Sequence, residues 1–456
     1  MENYHSLVKR QKAFFQSNQT KDLSFRMAAL QSLRTSIQTN ESELMAALKS
    51  DLNKSEFDAY STEIGVVLEE IRFTLSRLRS WVKPKKVRTP LTHTGSKGFI
   101  YPEPYGIAFI ISPWNYPFQL AAAPLIGAIA AGNCAIIKPS ELTPNTSEIF
   151  AKLIKEIFPE DYIAVVEGGI DTSEALLQED MDYIFFTGSV PVGKIIMEAA
   201  SRNLTPLTLE LGGKSPCIIH EDAKIKLAAK RIAWGKFMNA GQTCIAPDYL
   251  YLHGRIKDVF LRHLKEAIKE LYGVRPLENP NFTRIVSEKH FQRLCSFLSN
   301  GDIYSGGKTK RDKLLIEPTV LTDITWDDPV MEEEIFGPIL PVLVYTELPE
   351  VIEGIRNHPN PLSLYLFSED KRVQKEILES VSFGGGCMND TVYHFASPYL
   401  PFGGVGASGM GAYHGKGSFD TFSHQKSVLK QTTSFDIPFR YPNIKNGLQK
   451  IKRFLK

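Results

Sequence analysis

Cysteine is scarce in this chain of 456 residues, and none of it is arranged in pairs. Cys134, Cys217, Cys244, Cys295 and Cys387 are odd in number and scattered, with no CxxC spacing. That excludes a zinc ribbon or dithiol redox motif and fits reduced thiols in a cytoplasm. An excess of either charge is also missing: 53 Lys plus Arg against 51 Asp plus Glu leave a formal net charge of +2, too little for the strong field of a nucleic-acid binder. The polar opening Met1-Glu2-Asn3-Tyr4-His5 lacks an apolar signal core, so secretion is not expected. Nor is there an unbroken apolar span. From Pro104 to Ile137 no side chain is charged, yet Pro113, Pro117, Pro124 and Gly132-Asn133 cut the stretch into pieces too short to cross a membrane as one helix.

What is present is an ordinary globular composition, 43% hydrophobic and 23% charged, on a chain long enough for two or more domains. Residues 5–80 read as mostly helical, with 63–78 the clearest amphipathic run, and 88–101 as a hairpin-like excursion rich in Thr and Gly. From 104 onward, short runs apolar on both faces alternate with helical stretches: strands at 106–111, 134–137, 162–166 and 183–186, helices at 120–131, 143–158 and 191–200. The second helix of that set is expected to start on Thr143 as N-cap with Pro144 at its first position. A second alternating region follows Glu210, with strands at 217–219 and 249–252 and helices at 223–238 and 256–271. Apolar strands separated by helices imply parallel sheets covered on both faces. The expected fold class is therefore α/β, two doubly wound domains meeting near Glu210.

Two residue types in this frame carry chemistry. Cys244 ends Asn239-Ala240-Gly241-Gln242-Thr243-Cys244, and Glu210 lies in Leu209-Glu210-Leu211-Gly212-Gly213-Lys214. A thiol that attacks and a carboxylate that activates water are what a covalent acyl-enzyme route needs. Phe186-Thr187-Gly188-Ser189, leading to Gly193-Lys194, puts a glycine turn between a buried strand and a helix start, a setting suited to pyrophosphate. Its likeness to a P-loop fails because Ile195 stands where a magnesium-binding hydroxyl is required. Gly404-Val405-Gly406-Ala407-Ser408-Gly409 spells GxGxxG but follows no clean strand, and reads as a flexible loop. Lys138-Pro139-Ser140-Glu141 follows a strand's carboxyl end, where doubly wound sheets bind ligands. It serves either as a ribose contact or as a solvated loop.

Taken together, Pro113-Trp114-Asn115-Tyr116-Pro117, Lys138-Pro139-Ser140-Glu141, Phe186-Thr187-Gly188-Ser189, the Glu210 and Cys244 segments, Glu333-Glu334-Ile335-Phe336-Gly337-Pro338 and Pro401-Phe402-Gly403-Gly404 resemble the aldehyde dehydrogenase superfamily, over nearly all of the chain. The short N-terminus and Tyr413-His414-Gly415-Lys416 resemble its class 3 branch, which acts on fatty and aromatic aldehydes. The resemblance implies NAD, with NADP tolerated, as cofactor and an aldehyde as substrate. It implies Cys244 as nucleophile, its thiol pKa lowered from about 8.5 by its surroundings. Asn115 and the Cys244 backbone N–H would form an oxyanion hole, whose donors are typically worth about 3 kcal/mol each. Glu210 would activate the hydrolytic water. Trp114, Lys138, Glu141, Gly188, Ser189, Gly193, Glu334 and Phe336 would serve the cofactor, Phe336 having a core aromatic as its plain alternative. Asn389 is a further candidate near the site.

Residues 1–85 and 102–208 are then expected to form the cofactor domain and 209–412 the catalytic domain. By the same resemblance 86–101 and 413–432 would form a small β oligomerisation element, giving a homodimer. The last segment, 433–456, carries Ile444, Leu448, Ile451 and Leu455 at helical spacing among Lys445, Lys450, Lys452, Arg453 and Lys456. It reads as a basic amphipathic tail that docks on its own subunit, covers the substrate funnel or touches anionic lipid. No transmembrane segment, metal or nucleic-acid partner is expected. Two other activities share these motifs. Acyl transfer to coenzyme A is disfavoured by Glu210, and silent dinucleotide binding by the intact Cys244, Asn115 and Glu210.

Overall fold

The computed structural model describes residues 4–441 and 443–455, so Met1-Glu2-Asn3 of the polar opening and Lys456 of the basic tail lie outside the described residues. Two sheets, parallel except at one edge each, hold the core. The first runs Gly409–Met410, Leu207–Glu210, Tyr183–Thr187, Ile107–Ile111, Cys134–Lys138, Ile163–Val165, and only Gly409–Met410 is antiparallel to its neighbour. Its central strands are buried along their whole length, which is why they read as unbroken apolar runs. From Ile107–Ile111 the chain steps outward to one side, then returns to lay Tyr183–Thr187 on the other. At that switch point a crevice opens beyond the strands' carboxyl ends, and the ends present Ser112, Lys138, Thr187 and Glu210.

The second sheet has seven strands, ordered Asp302–Ser305, Thr319–Thr322, Ile339–Tyr345, Tyr249–His253, Pro216–Ile219, Ser363–Phe367, Gly385–Met388, antiparallel only at the first pair. A third, antiparallel sheet joins Lys85–Val87, Ser96–Pro104 and Ser423–Gln431, so the excursion expected at 88–101 is a hairpin that recruits a third strand from far along the chain. The N-terminal helices Leu23–Thr39 and Gly65–Trp81 pack Leu30, Leu33, Ile37 and Ile71 into the core of the first sheet. Helix Gln119–Ala131 is buried at every residue. Among the described residues no helix is long and apolar enough to cross a membrane.

Two local readings of the sequence are corrected. Helix Pro144–Ile157 does begin at Pro144, but among the described residues the Thr143 hydroxyl has no hydrogen-bond partner. The cap comes instead from Asp51, whose carboxylate accepts from the backbone N–H groups of Asn145 at 3.2 Å and Thr146 at 2.7 Å. A full charge at the positive end of the helix outcompetes the nearby hydroxyl. The glycine-rich stretch 404–409 is not a free loop either. Gly409–Met410 pairs with Leu209–Glu210, and a Cβ on Gly409 would come within 2.0 Å of the Leu209 carbonyl oxygen, so glycine is what allows this strand to close against Glu210.

Candidate active site

Glu210 is the last residue of its strand. Its backbone carbonyl accepts from Gly188 N–H at 3.0 Å, tying the carboxylate's position to the glycine turn. Its side chain is 3% exposed, and among the described residues neither carboxylate oxygen has a hydrogen-bond partner. Burial therefore pushes its pKa well above the ordinary carboxylate value. Glu210 and Cys244 line one cavity of about 500 Å³. Its wall is mainly apolar, with Leu120, Trp234, Met238, Ile245, Phe395 and Tyr413 prominent.

Cys244 follows an unusual backbone. Asn239, Ala240 and Gly241 are consecutive left-handed residues, at φ of 53, 52 and 72°. Strain of this kind persists only where the surroundings over-determine the conformation. Gln242 supplies that restraint: its amide donates to the carbonyls of Asn239 at 3.1 Å and Arg284 at 3.0 Å, and accepts from Val286 N–H at 3.1 Å. Gly241 lies so close to Gly337 that a Cβ would reach its carbonyl oxygen at 2.2 Å. The loop is thereby clamped against the Glu334 segment. The expected lowering of the Cys244 pKa is not found. Burial, with Glu334 and Glu210 adding negative charge, pushes the thiol up, opposed only by the backbone N–H groups of Cys244 and Ile245. A half-buried thiol pushed up in this way calls for a base to take its proton.

Asn115 is buried just behind the cavity lining. One N–H of its amide goes to the Gln242 carbonyl at 3.1 Å, leaving the second, while among the described residues its Oδ1 is unpartnered. Its neighbour Tyr116 lines the cavity and exchanges a hydrogen bond of 2.6 Å with the Thr243 hydroxyl, beside the nucleophile.

The expected cofactor residues divide. Lys138 is buried and pairs with Glu141 at 2.8 Å. Burial tends to raise the Glu141 pKa, but the Lys138 contact and a backbone N–H outweigh it, so the group is held low and anionic. Ser189 is the N-cap of helix Val190–Asn203, and its side chain makes no capping bond among the described residues, so the helix start is open to an anion. Gly188 is a glycine because a Cβ would strike the Phe186 ring at 2.5 Å. At Gly193 a Cβ would meet Leu211 at 2.6 Å, so this position also lets the helix pack closely on the Glu210 segment. Partly buried Glu334 presses on Gly212, where a Cβ would lie 2.0 Å from its Oε2. Its pKa is pushed up to about 8 by burial and Asp248, against the Gly213 N–H, Lys214 and Lys236. Phe336, at φ 51°, stands edge-on to Trp114 with centroids 5.3 Å apart, forming an aromatic wall beside Glu334. The set fits a dinucleotide: an open helix N-terminus, a buried cation, and carboxylates placed to accept from hydroxyls.

Asn389 does not line the cavity. Its amide accepts from Ser368 N–H and donates to the Ser368 carbonyl and to Glu369, fixing a turn. Sequence reading missed Phe57, Asp58, Ser61, Thr62 and Val66, which line the cavity from one side, and Lys236, whose buried ammonium is held down to about 8 by desolvation. A lysine inside an otherwise apolar helical face was the available signal for the latter.

The sequence profile of the aldehyde dehydrogenase family matches residues 1–428. The chain is 51% identical over 447 residues to 4,4'-diaponeurosporen-aldehyde dehydrogenase of Staphylococcus aureus, covering 98% of this chain and 97% of that one. It is 46% identical over 422 residues to aldehyde dehydrogenase family 3 member A2 of Pongo abelii, covering 92% and 87%. The structure of a Staphylococcus aureus AldH in a substrate-bound state superposes with a TM-score of 0.98 at 50% identity over the whole of both chains. With the fold, the thiol and carboxylate at one cavity and the dinucleotide cradle already in place, these likenesses settle the kinship: the chain belongs to the aldehyde dehydrogenase family.

Proposed function

We propose that this enzyme oxidises long or bulky apolar aldehydes to carboxylic acids through a covalent intermediate on Cys244. The carrying observation is the bare, buried Glu210 facing the same apolar cavity as Cys244. The Cys244 sulfur gives up its proton to a cavity carboxylate and bonds to the aldehyde carbon, forming a thiohemiacetal. Burial has raised the pKa of Glu210, which makes it a stronger acceptor of that proton than an ordinary carboxylate. Asn115 and the Cys244 N–H receive the oxygen's developing charge. Bound NAD(P)+ supplies the hydride acceptor. Loss of hydride leaves a thioester, and Glu210, once its first proton has passed to solvent, takes a proton from water as that water attacks and returns it to the departing Cys244 sulfur, releasing the acid and the thiol.

Gly188, Ser189 and the helix start hold the pyrophosphate, Lys138 and Glu141 the adenosine ribose, and Glu334 the nicotinamide ribose, with Trp114 and Phe336 packing alongside. An anionic Glu141 repels a 2′-phosphate, so NAD is preferred to NADP. The relatives span both habits, one named as NAD-dependent and one as dimeric and NADP-preferring. Cavity size and apolarity favour a large hydrocarbon substrate, and the relative named for 4,4'-diaponeurosporen-aldehyde is of that kind.

The first sheet and its helices form the cofactor domain and the second sheet the catalytic one. The third sheet ends in the exposed edge strand Ser423–Gln431, and a second copy covering this edge makes a homodimer in the cytoplasm. Helix Gly447–Phe454, with Leu448 and Leu455 exposed, docks on its own subunit or on anionic lipid. The test is NADH formation with aldehydes of increasing chain length and each cofactor. A rate that falls as the chain lengthens, or that depends on coenzyme A, defeats the reading.

A further inference from the structure

The segment that carries Asn115 is held from behind by a charge pair. Lys54 and Glu63, 1% and 0% exposed in their side chains, form an ion pair wholly inside the protein. Taking two charges out of water is costly, and such a pair seldom adds net stability, so its presence calls for another use. Each partner is engaged beyond the pair. The Lys54 ammonium donates to the Asn115 backbone carbonyl at 3.2 Å and sits 4.1 Å from the centroid of the Tyr116 ring. The second Glu63 oxygen accepts from Phe118 N–H and Gln119 N–H, both at 3.0 Å, capping helix Gln119–Ala131. Residues 115 to 119 are thus gripped at both ends by one ion pair. Glu63 lies in the π-helical turn Tyr60–Ile64, and the same turn presents Ser61 and Thr62 to the cavity. Such turns are rare and occur frequently at functional sites.

We propose that Lys54 and Glu63 are positioning residues for the reaction: they fix the Asn115 amide and the Tyr116–Thr243 contact against Cys244, and couple that placement to the cavity wall at 61–62. The proposal rests on the reading of Asn115 as an oxyanion donor. Neither residue touches the aldehyde. A donor worth a factor of hundreds when well placed loses most of that when it shifts by about 1 Å.

The test uses Lys54→Met/Glu63→Gln, which removes both charges together and leaves no lone buried ion. It is made alone and in an Asn115→Ala background, with the NADH burst followed by stopped flow and NAD+ affinity by fluorescence. Expected are a burst slowed about tenfold or more with NAD+ affinity within about twofold, and a further loss of less than about threefold in the Asn115→Ala background. Losses that multiply, a wild-type burst, or NAD+ affinity falling in parallel overturn the proposal. Lys54→Arg keeps the pair but not the single-point contact with the Asn115 carbonyl. It should slow the burst about threefold, again without adding to Asn115→Ala, and this decides the matter if the double neutralisation does not fold. A wild-type or additive burst in Lys54→Arg overturns the proposal too. A normal burst in Asn115→Ala sinks the donor reading and this proposal with it. A slow burst there, with an unaffected or additive charge-pair variant, sinks the proposal alone.

Discussion

Glu63 lies behind the cavity wall and Glu210 in it, and both are withdrawn from water, at 0% and 3% exposure. Glu63 is answered on every side by an ammonium and two backbone N–H groups. Glu210, among the described residues, is answered by nothing. A buried carboxylate with partners is a structural brace, its oxygens occupied and unavailable. One without partners is a reagent, because every proton it takes relieves a desolvation penalty. Asp51, which caps helix Pro144–Ile157, belongs with Glu63, and Glu334, pushed up to about 8 although it accepts from the Gly213 N–H, stands between the two kinds. What separates braces from reagents in this molecule is partnership rather than depth.

The comparison is tested most severely at the cavity. Cys244→Ala should lower aldehyde oxidation by about 10⁴-fold or more with no NADH burst, because no thiohemiacetal can form. A residual rate above about a hundredth of wild type would remove the covalent route. Glu210→Gln should lower steady-state acid production about 10²- to 10³-fold while leaving the NADH burst visible, since hydride leaves before water attacks. The same change should stabilise the fold. A carboxyl whose folded pKa is raised contributes stability below its unfolded pKa, near 4.3, and loses that contribution as pH rises through the folded value. Glutamine carries no such charge. The Tm of Glu210→Gln should therefore exceed that of wild type by about 1–3 °C in alkali, with the difference closing towards pH 4. A lower Tm at every pH would mean that Glu210 is a brace after all.

The reagents were easier to read in the sequence than the braces. Glu210, Lys138 and the Gly188 turn lie at the carboxyl ends of strands, and those strands announce themselves because burial on both faces makes them continuous apolar runs. Glu63 and Asp51 act across tertiary distance on helices whose own sequence shows nothing of them. Thr143-Pro144 even offered a complete local cap, and lost to a charge brought by folding. The two-residue strand Gly409–Met410 is too short for a period to show, so its glycines read as a loop. At the left-handed run before Cys244, Asn239 and Gly241 permit the conformation but Ala240 does not signal it. The thiol pKa went the other way from expectation because the sequence identifies the neighbours of Cys244 and says nothing of how dry they are.

Glu334 sharpens the comparison through pH. With a pKa of about 8 it is mostly protonated in neutral solution, and the carboxylate that accepts from a ribose hydroxyl appears only above that value. NAD+ affinity of the free enzyme should strengthen about three- to tenfold between pH 7 and 9, and Glu334→Gln should flatten that slope. The stability contribution has the opposite sign: it is complete below about 4.3 and is lost as pH climbs to about 8. Titration of NAD+ by fluorescence quenching across this range checks the affinity, and thermal denaturation over the same range the stability. A wild-type slope retained in Glu334→Gln would assign the pH dependence to another group.

The smallest expected effects contrast Asp51 with Thr143 at the start of one helix. Asp51→Ala removes four hydrogen bonds to Asn145 and Thr146, two of them from backbone N–H groups that are then left without a partner. Its cost should be about 1–3 kcal/mol in chemical denaturation, with the NADH burst unchanged in folded protein, because the helix it caps carries no group of the site. Thr143→Ala should cost less than about 0.5 kcal/mol, since its hydroxyl has no partner to lose among the described residues. If the order were reversed, the local cap would be the real one and the bonds from Asp51 would contribute little to the helix start. Equal costs would mean that the two share the helix start, and that a partnered carboxylate is a weaker brace than Glu63 implies.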